Sequence, residues 1–350
     1  MPKGSFSASD KPMQTVLRGD GKLYSIPRYQ RGYSWKKSQY ETLYNDIVEQ
    51  LDRKDNTGLF IGTLLLNHNN EYDDLRVEVI DGQQRMLTIT ILFSSIRDQL
   101  KEIQQGDFAS QIHRNYIADA QYAGDTQIPK TIPGGKLETY FRNMIHDYPR
   151  ITDTEFEAKS EEEKNVKNCK KFYDSKIKSE LKKIAKSTDN ILEEQVKWLV
   201  SLTKCIESIK VVTIDVEYEE DAYIVFESVN AKGAKLTLAD ILKNMIFRRI
   251  KPTDSDEDIA QKQWDKIEEN LESTNFSMPK FIRYQWLSKY EFLTESKLYD
   301  AIKQKLDKEK SLSWQEYLTD LVDDSQRLKE LIHPEEDYFK GKGSTRRITN

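Results

Sequence analysis

The sequence is poor in the residues that carry redox, metal and nucleophilic chemistry. It has 350 residues but only two cysteines, Cys169 and Cys205, and four histidines. Two cysteines cannot frame a disulfide scaffold or a zinc knuckle, so they read as buried or idle thiols. His68, His113, His146 and His333 stand far apart in the chain, and no His-Asn-His-like cluster with acidic partners marks a nuclease centre. Long apolar runs are missing as well. The best stretch, Met86–Phe93, is far shorter than the ~18 residues of a membrane span. Met1–Asp20 lacks the apolar stretch of a secretory signal. The expectation is a cytoplasmic protein without membrane contact. There is no surplus of positive charge: 54 Lys and Arg stand against 59 Asp and Glu, for a net charge of −5. The field of the whole protein therefore does not favour DNA, and any DNA contact must come from a local patch. No G-x-x-x-x-G-K-[ST] occurs, which excludes an ordinary P-loop ATPase. Repeats and low-complexity tracts are also absent.

What is present is unevenly spread. Lys22–Lys37 holds Lys22, Arg28, Arg31, Lys36 and Lys37 and no acid, with Tyr24, Tyr29, Tyr33 and Trp35 interleaved. Its centre, Ile26–Trp35, is a proline-stiffened loop of arginines and aromatics. Such a loop can stack a base and hold a phosphate, or it can pack its rings onto the core. Lys22–Ile26 reads as a short strand, and Ser38 opens a helix whose apolar residues fall at helical spacing. Leu59–Leu66 and Val77–Ile80 read as buried strands, Ile209–Val216 as a further strand, and Leu238–Ile250 as a helix. Between about Leu100 and Ser208 the pattern is helical.

The length is that of about two domains. Residues 1–20 read as a flexible arm and 21–250 as an α+β domain with a helical insertion at about 101–208. Residues 251–350 read as a mainly helical region.

The segment Val77–Thr88 contains Ile80-Asp81-Gly82-Gln83-Gln84-Arg85 and has two readings. Asp-Gly between β-branched flanks is a hairpin signal. Alternatively, strand passes to helix through Gly82, with Asp81 as N-cap and Gln84 at N3. The helix start would then offer free N–H groups to an anion, and Arg85 would add a bidentate fork for phosphate. Gln83 and Gln84 suit phosphate oxygens or the orientation of a water. The residues alone leave both readings open. A third segment, Phe226–Asn244, combines an Asn-x-x-Gly turn with a helix that Thr237 can cap. That reading does not require its Glu227, Asn230 and Lys243.

Taken together, these segments resemble the N-terminal domain of GmrSD-type restriction endonucleases, shared with SspE-type phosphorothioate-linked defence proteins. The matching motifs are I-P-x-Y-Q-R-x-Y-x-W at Ile26–Trp35, F-I-G-T at Phe60–Thr63 and I-D-G-Q-Q-R at Ile80–Arg85. The fourth is the F-E-x-[IV]-N-x-x-G motif and the helix after it, at Phe226–Asn244. The resemblance covers about residues 20–250. It implies a ParB/sulfiredoxin-like fold with a small mixed sheet, which favours strand-turn-helix at Asp81. It implies a nucleotide site at Asp81–Arg85 and Mg²⁺-dependent hydrolysis of a nucleoside triphosphate, GTP or another, in control of a nuclease. In this reading Asp81, Gly82 and Arg85 hold the triphosphate and Gln83 or Gln84 orients the attacking water. Asn230 and Lys243 add contacts, and Glu227 and Asp215 are the candidate metal ligands. The loop residues Arg28, Tyr29, Gln30, Arg31 and Trp35 would sense modified DNA, glucosylated or phosphorothioate. The expected partners are that DNA and a nuclease domain or subunit, with homo-oligomerisation left open. The same pocket could instead serve as a switch without turnover, or the chain could act mainly as a DNA-recognition subunit.

Overall fold

The computed structural model describes residues 6–18, 21–28, 30, 32–53, 58–68, 75–120, 127–135, 137–147, 157–217, 238–250, 258–309 and 312–333. The chain forms two compact units, residues 1–229 and 230–350. The α+β class, the mixed sheet and the helical C-terminal region agree with the sequence reading.

In the first unit the alternating apolar residues of each strand build a six-stranded sheet. Its strands are β1 (Phe6–Pro12), β2 (Leu23–Ser25), β3 (Phe60–Asn67) and β4 (Arg76–Asp81), with β7 (Thr131–Ile132) and β8 (Lys210–Val216). The order is β1-β8-β3-β4-β2-β7. β1 is antiparallel to β8 and β3 to β4, while β3 and β8, β2 and β4, and β2 and β7 are parallel. Because strand side chains alternate, Leu64, Leu66, Val77, Val79 and Val211 point to one face and join the main core. Leu65, Ile80, Ile214 and Val216 form a small cluster of their own.

The main core is covered by α2 (Lys37–Arg53), α3 (Gln83–Glu102), α6 (Glu161–Ser187) and α7 (Ile191–Ser208). α3 is its axis. Ile89, Ile91, Leu92, Phe93 and Ile96 are fully buried, but so are Thr88, Thr90, Ser94 and Ser95. These hydroxyls bond back to carbonyls of the preceding turn, as in Thr88 to Gln84 O at 2.7 Å and Thr90 to Met86 O at 3.0 Å. A helix can thus bury hydroxyls on every side without orphaning them. Toward its C-terminal end α3 buries Arg97. The guanidinium donates to Asp98 (2.9 Å), to Ile145 O (2.9 Å) and to His113 Nδ1 (3.1 Å). Lys170 of α6 meets the other oxygen of Asp98 at 2.9 Å.

Two expectations need correction. Residues 6–18 are no loose arm: β1 is an edge strand in full register with β8, and α1 (Met13–Arg18) buries Met13, Val16 and Leu17. β1 pairs with a strand 200 residues away, so local sequence could not announce it. The insertion is also not purely helical. Thr131–Ile132 completes the far edge of the sheet, and β5 (Ala118–Ala120) pairs with β6 (Gln127–Pro129). Strands of two or three residues are too short to show a period. α4 (Gly106–Ile112) and α5 (Leu137–Phe141) each run on into a π-helical turn, His113–Ile117 and Arg142–His146.

The described elements of the second unit are all helical: α8 (Leu238–Arg249), α9 (Ile259–Glu272), α10 (Met278–Lys289), α11 (Glu295–Lys303), followed by a π-helical turn at Gln304–Glu309, and α12 (Trp314–Ile332). Leu242, Ile246, Trp264, Ile267, Phe281, Ile282, Trp286, Leu318 and Leu321 are buried in it. A Ser313–Glu316 capping box starts α12.

Candidate functional site

The ambiguous segment is a strand, a one-residue turn and a helix. β4 ends at Asp81, Gly82 turns the chain with φ of 91°, and α3 begins at Gln83. Only glycine takes that conformation at little cost. A Cβ on Gly82 would also collide with the Leu64 side chain. The N-cap is therefore Gly82 and not Asp81, which corrects the capping-box reading: no side chain caps the helix, and its first turn holds no acid. The N–H groups at the start of a 20-residue helix carry the positive end of its dipole, the arrangement that attracts an anion.

Arg85 sits one turn in. Its Nη1 donates to Ile61 O at 2.9 Å, and its Nη2 lies 3.5 Å from Asp81 Oδ2. The first bond fixes the fork against β3. The second is long, so Nη2 keeps donor capacity for another oxygen. The backbone makes room for this arginine at Gly62, whose φ is 105° and whose Cβ, if present, would strike Arg85 Nη1. Burial pulls the Arg85 pKa below its usual value and the Asp81 carboxylate pushes it back up; the guanidinium remains charged. Thus the F-I-G-T strand and the D-G-Q-Q-R turn form one built structure around a single cation.

The two glutamines behave differently from Arg85. Both are buried. Gln84 uses both ends of its amide on the preceding loop: Oε1 accepts from Ser34 N and Nε2 donates to Gly32 O, each at 2.9 Å. Gln30 closes the same junction from the other side, donating to Ile80 O at 3.2 Å. The aromatic loop is thereby clamped onto the turn. Tyr33 is buried and its hydroxyl pairs with Thr88 at 2.8 Å, while Asn165 of α6 donates to Tyr33 O at 3.1 Å. Trp35 is half-buried against the core. Arg28 is half-exposed, and its backbone carries Gly134, where a Cβ would come within 2.9 Å of Arg28 Cα. Tyr29 and Arg31 lie outside the described residues.

Asp215 is fully engaged. Its carboxylate pairs with His68 Nε2 at 2.6 Å, Lys11 Nζ at 3.2 Å and Thr213 Oγ1 at 3.1 Å. Burial raises its pKa, but the His68 hydrogen bond and Lys11 outweigh this and leave it at about 2. A carboxylate already shared with a lysine offers no open position to a metal, and no group of three metal-ligating side chains occurs among the described residues. Glu227 and Asn230 lie outside the described residues. Lys243 belongs to the second unit, where its ammonium lies 3.5 Å from Glu268 and over the rings of Phe247 and Trp264. The structure thus brings Asp81, Gly82, Gln83, Gln84, Arg85 and Gln30 together around the start of α3. Lys243 is held by its own partners.

Sequence reasoning missed the supporting role of Gly62, although the glycine inside an otherwise apolar strand was a visible signal of close approach. It also missed a cavity of about 250 Å³ lined by Arg18, Leu100, Tyr116, Lys204 and Glu207. Leu100 is 17 residues along α3 from Gln83, roughly 25 Å at 1.5 Å per residue, so this cavity is separate from the turn. Both cysteines are free and buried, as expected, and burial pushes the Cys169 thiol up to about 12. Among the described residues no helix is long and apolar enough to cross a membrane.

Residues 13–247 match the family model described as GmrSD restriction endonuclease, N-terminal domain. No curated protein matches the chain.

Proposed function

The chain belongs to the GmrSD restriction endonuclease N-terminal domain family and is a component of a restriction system; from that premise we propose that it binds a nucleoside triphosphate at the start of α3. It would use the nucleotide to control a nuclease that acts on modified DNA. The observation that carries this reading is the uncapped, acid-free N-terminus of α3 behind Gly82, with Arg85 held beside it by Ile61 O and Gly62. Backbone N–H groups and a guanidinium at one helix start are the donor set that a phosphate needs.

The roles follow from reach. Gly82 lets the triphosphate approach the backbone, and Arg85 Nη2 turns from Asp81 to a phosphate oxygen. Asp81, whose side chain is 30% exposed, is an acceptor 3.5 Å from Arg85 Nη2. Gln84 spends its amide on the loop, so an attacking water would be oriented by Gln83 or by Asp81. The described residues do not form a cage for Mg²⁺, and Asp215 does not fit one. Such a cation ordinarily arrives with its substrate phosphates and needs only one or two carboxylates. The loop clamped by Gln84 and Gln30 gives modified DNA a place from which to affect the turn, with Arg28 at its half-exposed edge.

The burial of both glutamines also favours a second reading, a nucleotide switch without turnover. Phosphate release from each of the four ribonucleoside triphosphates with Mg²⁺, with and without modified DNA, separates the two. Release that disappears in Arg85→Ala supports hydrolysis at this site. Nucleotide binding without release establishes the switch. Release unchanged in Arg85→Ala refutes the site.

A further inference from the structure

The second unit carries a surface that the nucleotide site does not use. Residues 273–290 contain no Asp or Glu, in a chain where 59 of 350 residues are acidic. This stretch holds Lys280, Arg283 and Lys289 with Phe276, Phe281, Tyr284, Trp286 and Tyr290. It therefore repeats, in an unrelated element, the acid-free and aromatic composition of the loop before α2.

The helix α10 divides these residues. Phe281, Trp286 and Ile282 face inward and are buried. Lys289 is neutralised by Asp320 and Asp324, each at 2.9 Å. Lys280, Arg283 and Tyr284 are spaced i, i+3 and i+4, so they share one face. Tyr284 is 51% exposed, and its ring meets Phe276 edge-on with centroids 6.0 Å apart. The Lys280 ammonium stands 4.7 Å from the Phe276 centroid and 5.9 Å from that of Tyr284. Neither Lys280 nor Arg283 has a carboxylate partner among the described residues, and the Nε of Arg283 is buried without a hydrogen-bond partner. At the start of α10 the Ser277 side chain makes no cap hydrogen bond, and the first turn holds no acid.

Two cations with no carboxylate partner among the described residues, beside one exposed ring backed by the half-buried Phe276, stand out on an acidic protein. A protein partner with an apolar face would fill the rings and strand the charges. A nucleic-acid strand uses both, because a base stacks on the ring while its flanking phosphates take the cations. We infer that the Phe276–Lys280–Arg283–Tyr284 face of α10 binds a single-stranded or locally unpaired nucleic acid, with a base on Tyr284 and phosphates on Lys280 and Arg283. This rests on the reading of the chain as a protein that acts on DNA. It adds a second contact, in the second unit, to the loop expected to sense modification. Bases in an intact duplex are stacked on each other and cannot reach Tyr284, so the surface prefers unpaired strand.

The test is fluorescence anisotropy of the full chain with a labelled oligothymidylate of about 20 nucleotides and with a duplex of the same length, over a salt series. The wild-type protein is expected to bind the single strand more tightly. Tyr284→Ala should weaken it about tenfold, within the range known for loss of one stacked base, and Tyr284→Phe should restore it. Lys280→Ala and Arg283→Ala should each lower the slope of log K against log salt by about 0.7. Lys280 and Tyr284 are exposed, so these variants keep the fold. Single-strand binding unchanged in all three alanine variants, or lost only in Arg28→Ala, overturns this inference and leaves the DNA-directed reading standing. No binding of any nucleic acid by the wild-type chain overturns both.

Discussion

At the residue scale the account rests on Arg85, on Gly62, which makes room for it, and on Gly82, which turns the chain. Arg85→Ala removes the fork but leaves a short side chain at a helix position, so the fold should survive and triphosphate binding should not. Gly62→Ala tests the same point from the other side. Its φ of 105° and the collision of a Cβ with Arg85 Nη1 should move the guanidinium off Ile61 O. The expected result is nucleotide affinity lowered nearly as far as in Arg85→Ala, measured by isothermal titration. Gln84 is a different case. Gln84→Ala leaves Ser34 N and Gly32 O without their partner, and an unsatisfied buried group costs about 1–3 kcal/mol. Urea denaturation should register that loss, whereas a glutamine that only oriented water would leave stability unchanged. The sequence made Arg85 legible, because an arginine after Asp-Gly is a phosphate donor in any strand-turn-helix. It did not make Gln84 legible, because its partners, Gly32 and Ser34, are 50 residues away and are backbone atoms.

At the element scale α3 ties the proposed site to the rest of the unit. Its start faces the turn and its far end buries Arg97 among Asp98, His113 and Ile145 O. Removing one partner of a buried charged network leaves the others uncompensated and costs about 3–5 kcal/mol. Arg97→Ala should therefore lower stability by that order in chemical denaturation, far more than Arg85→Ala. The contrast matters, since a binding loss in Arg85→Ala with only a small stability change locates the effect at the site. The helical reading of residues 83–102 was half legible. Thr88, Thr90, Ser94 and Ser95 weaken helix propensity, and only the back-bonds to the preceding turn show why the helix tolerates them. β1 and β7 were illegible for another reason. Each is short or lies at an edge, and each is fixed by pairing with a distant strand.

At the scale of the whole molecule His146 and Asp215 contribute to the response to acid. Burial, aided by Arg142 and Arg97, lowers the His146 pKa from 6.5 to about 3. The unfolded chain then binds the proton first, so stability falls as pH drops from about 6.5 toward 3. Asp215 acts lower down. Its pKa is depressed from 3.8 to about 2, so its contribution is present above about 4 and is lost as pH falls through 2. Denaturation midpoints at pH 7, 5 and 3.5 should decline steadily in the wild-type protein, and His146→Gln should flatten the decline between pH 6.5 and 4. A decline confined to pH below 4 in both proteins would remove His146 from the account. Charge also divides the molecule by task. The chain is acidic as a whole, yet the loop before α2 and the stretch of α10 are both acid-free and rich in aromatics. The first was legible in the sequence; the second emerged only when α10 showed which side chains share its outer face.

The central claim is that the turn between β4 and α3 is a triphosphate site built around Arg85. Its most direct test is equilibrium binding of a non-hydrolysable triphosphate to the full chain and to Arg85→Ala, with denaturation of both as the control for folding. The account predicts saturable binding by the wild-type protein, loss of at least about tenfold in affinity on removing the charged contact from Arg85, and nearly equal stabilities. Equal affinity in two folded proteins would contradict it.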